Sequence, residues 1–173
     1  MACDNNEASS ELKRAVSIPT KESPKEKTES ENDSLIKYCN YRYSFCLSYP
    51  ASFHPMGESD NGDGQSFKTE DGNAIISSYG GLVIKEDEFI WGIETEYELI
   101  LESQTLISKE KTENAFIVTY EEGNDFFYRA TNYRKGNYYG VPDTKILNTL
   151  VISFPKEKYA QYERYINLVQ LEF

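Results

Sequence analysis

The sequence predicts an α+β fold, an antiparallel sheet with amphipathic helices laid across it, and three observations predict it. Short segments with alternating apolar and polar residues, separated by Asn, Asp and Gly, read as strands joined by hairpin turns. The stretch 87–101 carries apolar residues at four-residue spacing, the period of a helix with one buried stripe. The 14 Tyr and 9 Phe among 173 residues are the large side chains that fill sheet faces.

Taken in order, residues 1–34 form a leader unlike the rest. They mix Ser, Thr, Asn, Glu and Lys, with Pro19 and Pro24 as breakers, and cannot bury enough surface to offset the entropy of ordering. The leader is expected to be a disordered tether, and residues 35–173 one domain, which is enough chain for a substantial core. From Tyr41 to Tyr49, aromatic and polar residues alternate, with Tyr41, Tyr43, Phe45, Leu47 and Tyr49 on one side and Pro50 as the stop. Cys39 and Cys46 flank Tyr41–Ser44. A reversal at Arg42–Tyr43 sets them opposite each other, where a cross-strand disulfide is feasible, and the alternative is a pair of small buried thiols. His54 falls between Phe53 and Pro55 in an expected loop.

Asn61-Gly62-Asp63-Gly64 supplies residues that tolerate positive φ and predicts a tight reversal. A short strand, Gln65–Thr69, then meets Asp71-Gly72, a hairpin signal ahead of the strand Ala74–Tyr79. Phe89, Ile93, Tyr97 and Leu101 give the stripe of a helix capped by Asp87, with Glu94, Glu96, Glu98 and Glu102 on its outer face. Strands at 105–109, 115–120 and 125–133 are separated by Thr112–Asn114 and Glu122–Asn124 and read as a meander. Lys145–Phe154 is the last strand, Pro155 ends it, and 158–168 is a closing helix with Tyr159, Tyr162 and Ile166 on one face.

The order of these residues resembles the PsbP-like superfamily. The resemblance rests on a Tyr-rich first strand ending in Tyr49-Pro50, the Asn61–Gly64 turn, Phe67 ahead of Asp71-Gly72 and Ala74, and a strand ending in Tyr79-Gly80. Further on, it rests on Ile146–Leu150 leading to Phe154-Pro155 and a closing segment ending in Phe173. It covers about residues 36–173 and implies an α/β/α sandwich around a central antiparallel sheet. The superfamily includes a photosystem II extrinsic protein, a Ran-binding import factor and bacterial envelope proteins, so the resemblance implies docking rather than catalysis. Ala2-Cys3 ahead of a polar tether looks like the start of a mature bacterial lipoprotein. That similarity implies acylation of Cys3, attachment to a bilayer through the acyl anchor alone, and an envelope location.

Composition excludes other classes. A net charge of −11, with Lys+Arg at 18, and no basic run interleaved with aromatics disfavour nucleic acid as a partner. A single His leaves little for a nucleophile–base pair or a zinc site, and no phosphate-binding or dinucleotide glycine motif is present. The expectation is a non-enzymatic envelope protein that binds or assembles with an unnamed protein partner, without a cofactor. Arg129, Tyr133, Tyr138 and Tyr139 are candidates for the partner surface, with edge-strand packing as the alternative reading. A second reading is calcium or a small ligand, because Ser59–Glu70 has the spacing of an EF-hand loop with Asn61, Asp63 and Glu70 at ligand positions, although the flanks read as strands. A third, an unrecognised enzyme, calls for a pocket near His54 or Tyr79.

Overall fold

The computed structural model describes residues 34–173; residues 1–33, Cys3 included, lie outside them. Its central sheet has seven antiparallel strands in the order β3-β4-β5-β11-β10-β9-β8. These are β3 (Phe53–Glu58), β4 (Gly64–Thr69), β5 (Ile75–Leu82), β8 (Leu106–Lys111), β9 (Ala115–Glu122), β10 (Asp125–Tyr138) and β11 (Val141–Pro155). β11 is central, and its run Ile146–Leu150 is buried throughout, as a strand covered on both faces must be. A smaller sheet joins β1 (Leu35–Asn40), β2 (Phe45–Pro50) and β12 (Gln170–Glu172), and a two-stranded ribbon joins β6 (Ile84–Glu86) to β7 (Phe89–Trp91).

Alternation along the strands sends side chains to two cores. On one face, Phe116, Val118, Tyr120 and Leu147 pack against Ile93 and Ile100 of α1 (Ile93–Ser103). On the other, Phe67, Ile76, Leu150, Ile152 and Phe154 meet Leu47 and Tyr49 of β2. Tyr162 of α2 (Tyr159–Tyr162), Tyr165 of α3 (Arg164–Leu168) and Val169 complete that layer. The layering is the α/β/α arrangement, with the small sheet sharing one outer layer with α2 and α3.

The turn chemistry places the hairpins where expected. Gly62, Gly72 and Gly123 all have positive φ, at 69°, 70° and 61°. Elsewhere four elements differ from the sequence expectation. Residues 87–91 are not helical: Asp87 adopts φ 51° in the turn between β6 and β7. The helix begins only after Gly92, with Ile93, Tyr97 and Ile100 facing the sheet, while Phe89 and Leu101 are exposed. His54 and Pro55 lie in an edge strand rather than a loop, which Pro tolerates because the outer edge needs no donor. The closing helix is broken into a 3-10 turn, α2 and α3, with Ile166 N–H bonding to Glu163 O and with Tyr162 and Tyr165 both buried. Its end turns into β12, which pairs with β2.

Tyr41 leaves the strand for a four-residue loop, Tyr41–Ser44, yet the register still pairs Cys39 with Cys46, and the two are joined by a disulfide. Replacing both by Ser is expected to cost about 2 to 3 kcal/mol, from the entropy of a short closed loop. Comparing urea midpoints of the two proteins checks it.

Candidate functional site

Three loops meet at one end of the sheet: Tyr41–Ser44 between β1 and β2, the turn at Ser59–Asp63 between β3 and β4, and the β10–β11 hairpin. The hairpin reverses through Tyr139 and Gly140, with φ at 49° and 84°. Two positive φ values are the signature of the tight hairpin turn that matches strand twist. For Tyr139, a non-glycine residue, that conformation costs about 1 kcal/mol or more and persists only where the surroundings enforce it.

Arg42 is at the centre. It donates to Asn61 O, to Asp63 Oδ1 at 3.0 Å and to Tyr138 Oη at 2.9 Å. Its guanidinium lies 5.1, 5.6 and 5.8 Å from the ring centres of Tyr43, Tyr138 and Tyr139, within reach of cation–π attraction. The loops are tied together underneath. Asn40 accepts from Tyr43 N–H and donates to Gly62 O, both at 2.9 Å. Arg134 donates to Tyr43 O and Ser44 O at 2.6 and 2.7 Å, and to Asn148 Oδ1 at 2.9 Å. Above this framework, Tyr41, Tyr139 and Val141 are 90%, 73% and 58% exposed.

The residues named from sequence are divided by the fold. Tyr138 and Tyr139 belong to this tip. Arg129 and Tyr133 lie on the opposite face, under α1, where Arg129 pairs with Glu96 at 2.6 Å and Tyr133 packs on the α1 cluster. The four therefore do not form one surface. Arg42, Tyr43 and Val141 were missed, though an Arg-Tyr pair in a loop between two cysteines was a readable signal.

The calcium candidates are divided too. Asn61 and Asp63 share the β3–β4 turn, but Glu70 sits beyond the other end of β4, and the Asp63 carboxylate is taken by Arg42 and Asn61. No group of three or more His, Cys, Asp or Glu side chains among the described residues is placed to hold a metal. Millimolar calcium is therefore expected to leave the melting temperature unchanged, as a thermal titration reads directly.

His54 and Tyr79 are not brought together: His54 is exposed on β3 and pairs with Lys68, whose other neighbour is Ile75, four residues before Tyr79. An open recess of about 520 Å³ beside Tyr79 is lined by Glu58, Ser59, Ser66 and Ser77. Ser66 and Ser77 bond to each other at 2.7 Å, and no histidine lines the recess.

Burial pushes the Tyr38, Tyr43 and Tyr162 hydroxyls up to about 12, helped by Glu58, Asp63 and Asp71 respectively. Each folded value lies above the unfolded value of about 10. Their contribution is thus fully present below that value and is lost as pH rises toward about 12. The urea midpoint is expected to fall between about pH 10 and pH 12.

No protein-family model and no curated protein sequence matches the chain. Among solved structures, the solution structure of cyanobacterial PsbP (CyanoP) from Synechocystis sp. PCC 6803 superposes with a TM-score of 0.51 at 11% identity, over 82% of this chain and 95% of that one. The fold is PsbP-like. LpqN of Mycobacterium tuberculosis, a protein involved in cell envelope biogenesis, gives a TM-score of 0.38 at 8% identity, over 83% of this chain and 88% of that one. That overlap is too loose to carry an argument. On the PsbP-like framework, the Arg42 tip is assembled from the three loops at one end of the central sheet.

Proposed function

We propose that this chain is a non-enzymatic docking protein of the bacterial cell envelope, held to a membrane by acylated Cys3 and contacting a protein partner through the Arg42 tip. The observation that carries the reading is the grouping of exposed Tyr41, Tyr139 and Val141 around an arginine already fixed by three rings. Tyr and Arg are the residues most enriched at binding hot spots, and rings held in place before binding lose little entropy on contact. The Cys39–Cys46 bond supports an oxidising compartment outside the cytosol. The same bond removes both thiols as nucleophiles, and His54 stands exposed on an edge strand.

The test is photo-cross-linking in cells from a benzophenone side chain at position 139 of the natively processed protein, with position 98, exposed on the outer face of α1, as the control site. A discrete adduct from 139 that is lost in an Arg42→Ala background supports docking through the tip. Equal labelling from both sites, or no adduct, overturns it. The intact mass of the same preparation reads whether Cys3 carries its acyl chains.

A further inference from the structure

The two edges of the central sheet are protected unequally. On β3, Pro55 lacks an N–H and the register shifts between Pro55 and Glu58 around Gly57, at φ 96°, which are devices that block strand addition. β8 runs six residues from Leu106 to Lys111 without Pro or Gly; its own register shift, between Leu106 and Ser108, leaves Ser108–Lys111 regular and sets Ile107 on the side of Ser108 and Glu110, and its outer edge has no neighbouring strand among the described residues.

Beside β8 lies a groove of about 560 Å³ between the β8–β9–β10 wing and α2–α3. Ile117, Phe126 and Tyr128 form its floor, Tyr159 and Ile166 its far wall, and Ile107, 59% exposed, its lip. Two carboxylates rim it. Glu121 is matched by Lys156 at 3.1 Å, whereas Glu110 joins no ion pair among the described residues. On the opposite face of β8 the charge reverses: Lys111 reaches Glu94 of α1 at 2.8 Å, and Lys109 shares its face by alternation.

We infer that β8 accepts an extended segment of a partner protein as an eighth strand, with alternate side chains entering this groove. The two faces of β8 define the segment. Side chains over the groove are apolar or cationic, to meet Ile107 and Glu110, and those on the other face are acidic or neutral, to meet Lys109. Main-chain hydrogen bonds supply the affinity and the alternate side chains the specificity, as in other strand-addition complexes. A second copy of this chain meets the requirement poorly in the registers centred on β8. Two β8 strands related by a two-fold axis at Lys109 or Glu110 bring like charges opposite each other, and an axis at Ser108 sets Glu110 against Leu106.

The probe is a fluorescein-labelled heptapeptide, Thr-Leu-Glu-Lys-Glu-Leu-Thr-amide, which places Leu, Lys and Leu on one face and acidic or neutral residues on the other. Titration into the full chain, read by anisotropy, is expected to saturate and to slow hydrogen exchange in β8 but not in β3. Ile107→Asp and Glu110→Lys, both at exposed positions that leave the core intact, are each expected to weaken binding about tenfold or more. A version of the peptide with Pro in place of the central Lys is expected not to bind. Absence of saturation, indifference to both variants, or equal loss in Tyr139→Ala, which would move the contact to the tip, overturns the inference. So does stronger protection of β8 by phosphatidylcholine–phosphatidylglycerol vesicles than by the peptide, which would assign the groove to a membrane. The cross-linking at position 139 reads a separate surface, so either result stands without the other.

Discussion

Replacing Arg134 by Met is expected to destabilise the protein by about 2 to 3 kcal/mol, because one half-buried guanidinium satisfies three acceptors at once. Those acceptors are Tyr43 O, Ser44 O and Asn148 Oδ1. Asn148 is fully buried and its Nδ2 already lacks a partner among the described residues, so the substitution leaves the whole amide unsatisfied. Met keeps the aliphatic bulk beneath the Phe173 ring and so isolates the loss of hydrogen bonding from a loss of packing. Urea denaturation with an unchanged m-value checks the magnitude. Arg134→Lys is expected to recover only part of it, since a single ammonium cannot reproduce the fork. A cost below about 1 kcal/mol for Met would mean that water replaces the guanidinium and that the β1–β2 loop is not held by it.

Gly80→Ala is the second large effect, expected near 3 kcal/mol, at the upper end of the range for overpacking. A Cβ at Gly80 would overlap the root of the Tyr43 ring, and Tyr43 is only 4% exposed, so neither side can give way cheaply. The ring that must move is one of the three around Arg42. Two readouts should therefore change together: a lower urea midpoint, and loss of the adduct from a cross-linker at position 139. A folded, stable Gly80→Ala protein with undiminished cross-linking would separate the tip from its support and weaken the docking proposal. The double variant Gly80→Ala, Tyr43→Ala offers a control, since removing the ring relieves the clash and should restore part of the lost stability.

Much of the fold was legible because its signals are local. Asn61-Gly62, Asp71-Gly72 and Gly123 mark turns by the backbone angles they tolerate, and alternation of apolar residues marks the strands between them. Cys39 and Cys46 were readable as partners because any hairpin closing around Arg42–Tyr43 in that register sets them opposite. The ribbon at 84–91 was not readable, since Phe89 and Ile93 happen to fall four apart and imitate a helical stripe that Gly92 interrupts. The site was less legible than the fold. Arg129, Tyr133, Tyr138 and Tyr139 look contiguous in sequence, yet alternation sends Arg129 and Tyr133 beneath α1, and an irregularity between Gly136 and Tyr138 redirects the end of the strand.

The sequence by itself determined the antiparallel α+β character, the hairpin turns, the feasibility of a Cys39–Cys46 pairing and the acidic, single-histidine composition that argues against nucleic acid and histidine-based catalysis. Each of these is set by residues within a turn or two of one another, or by simple sums over the chain. Only the tertiary structure decided that Arg42, Tyr43, Tyr138 and Tyr139 meet, that β12 returns to β2, and that β8 stands open beside a groove. Those facts depend on which strands neighbour each other in space, and that order follows from how two cores are filled from both ends of the chain rather than from any local signal.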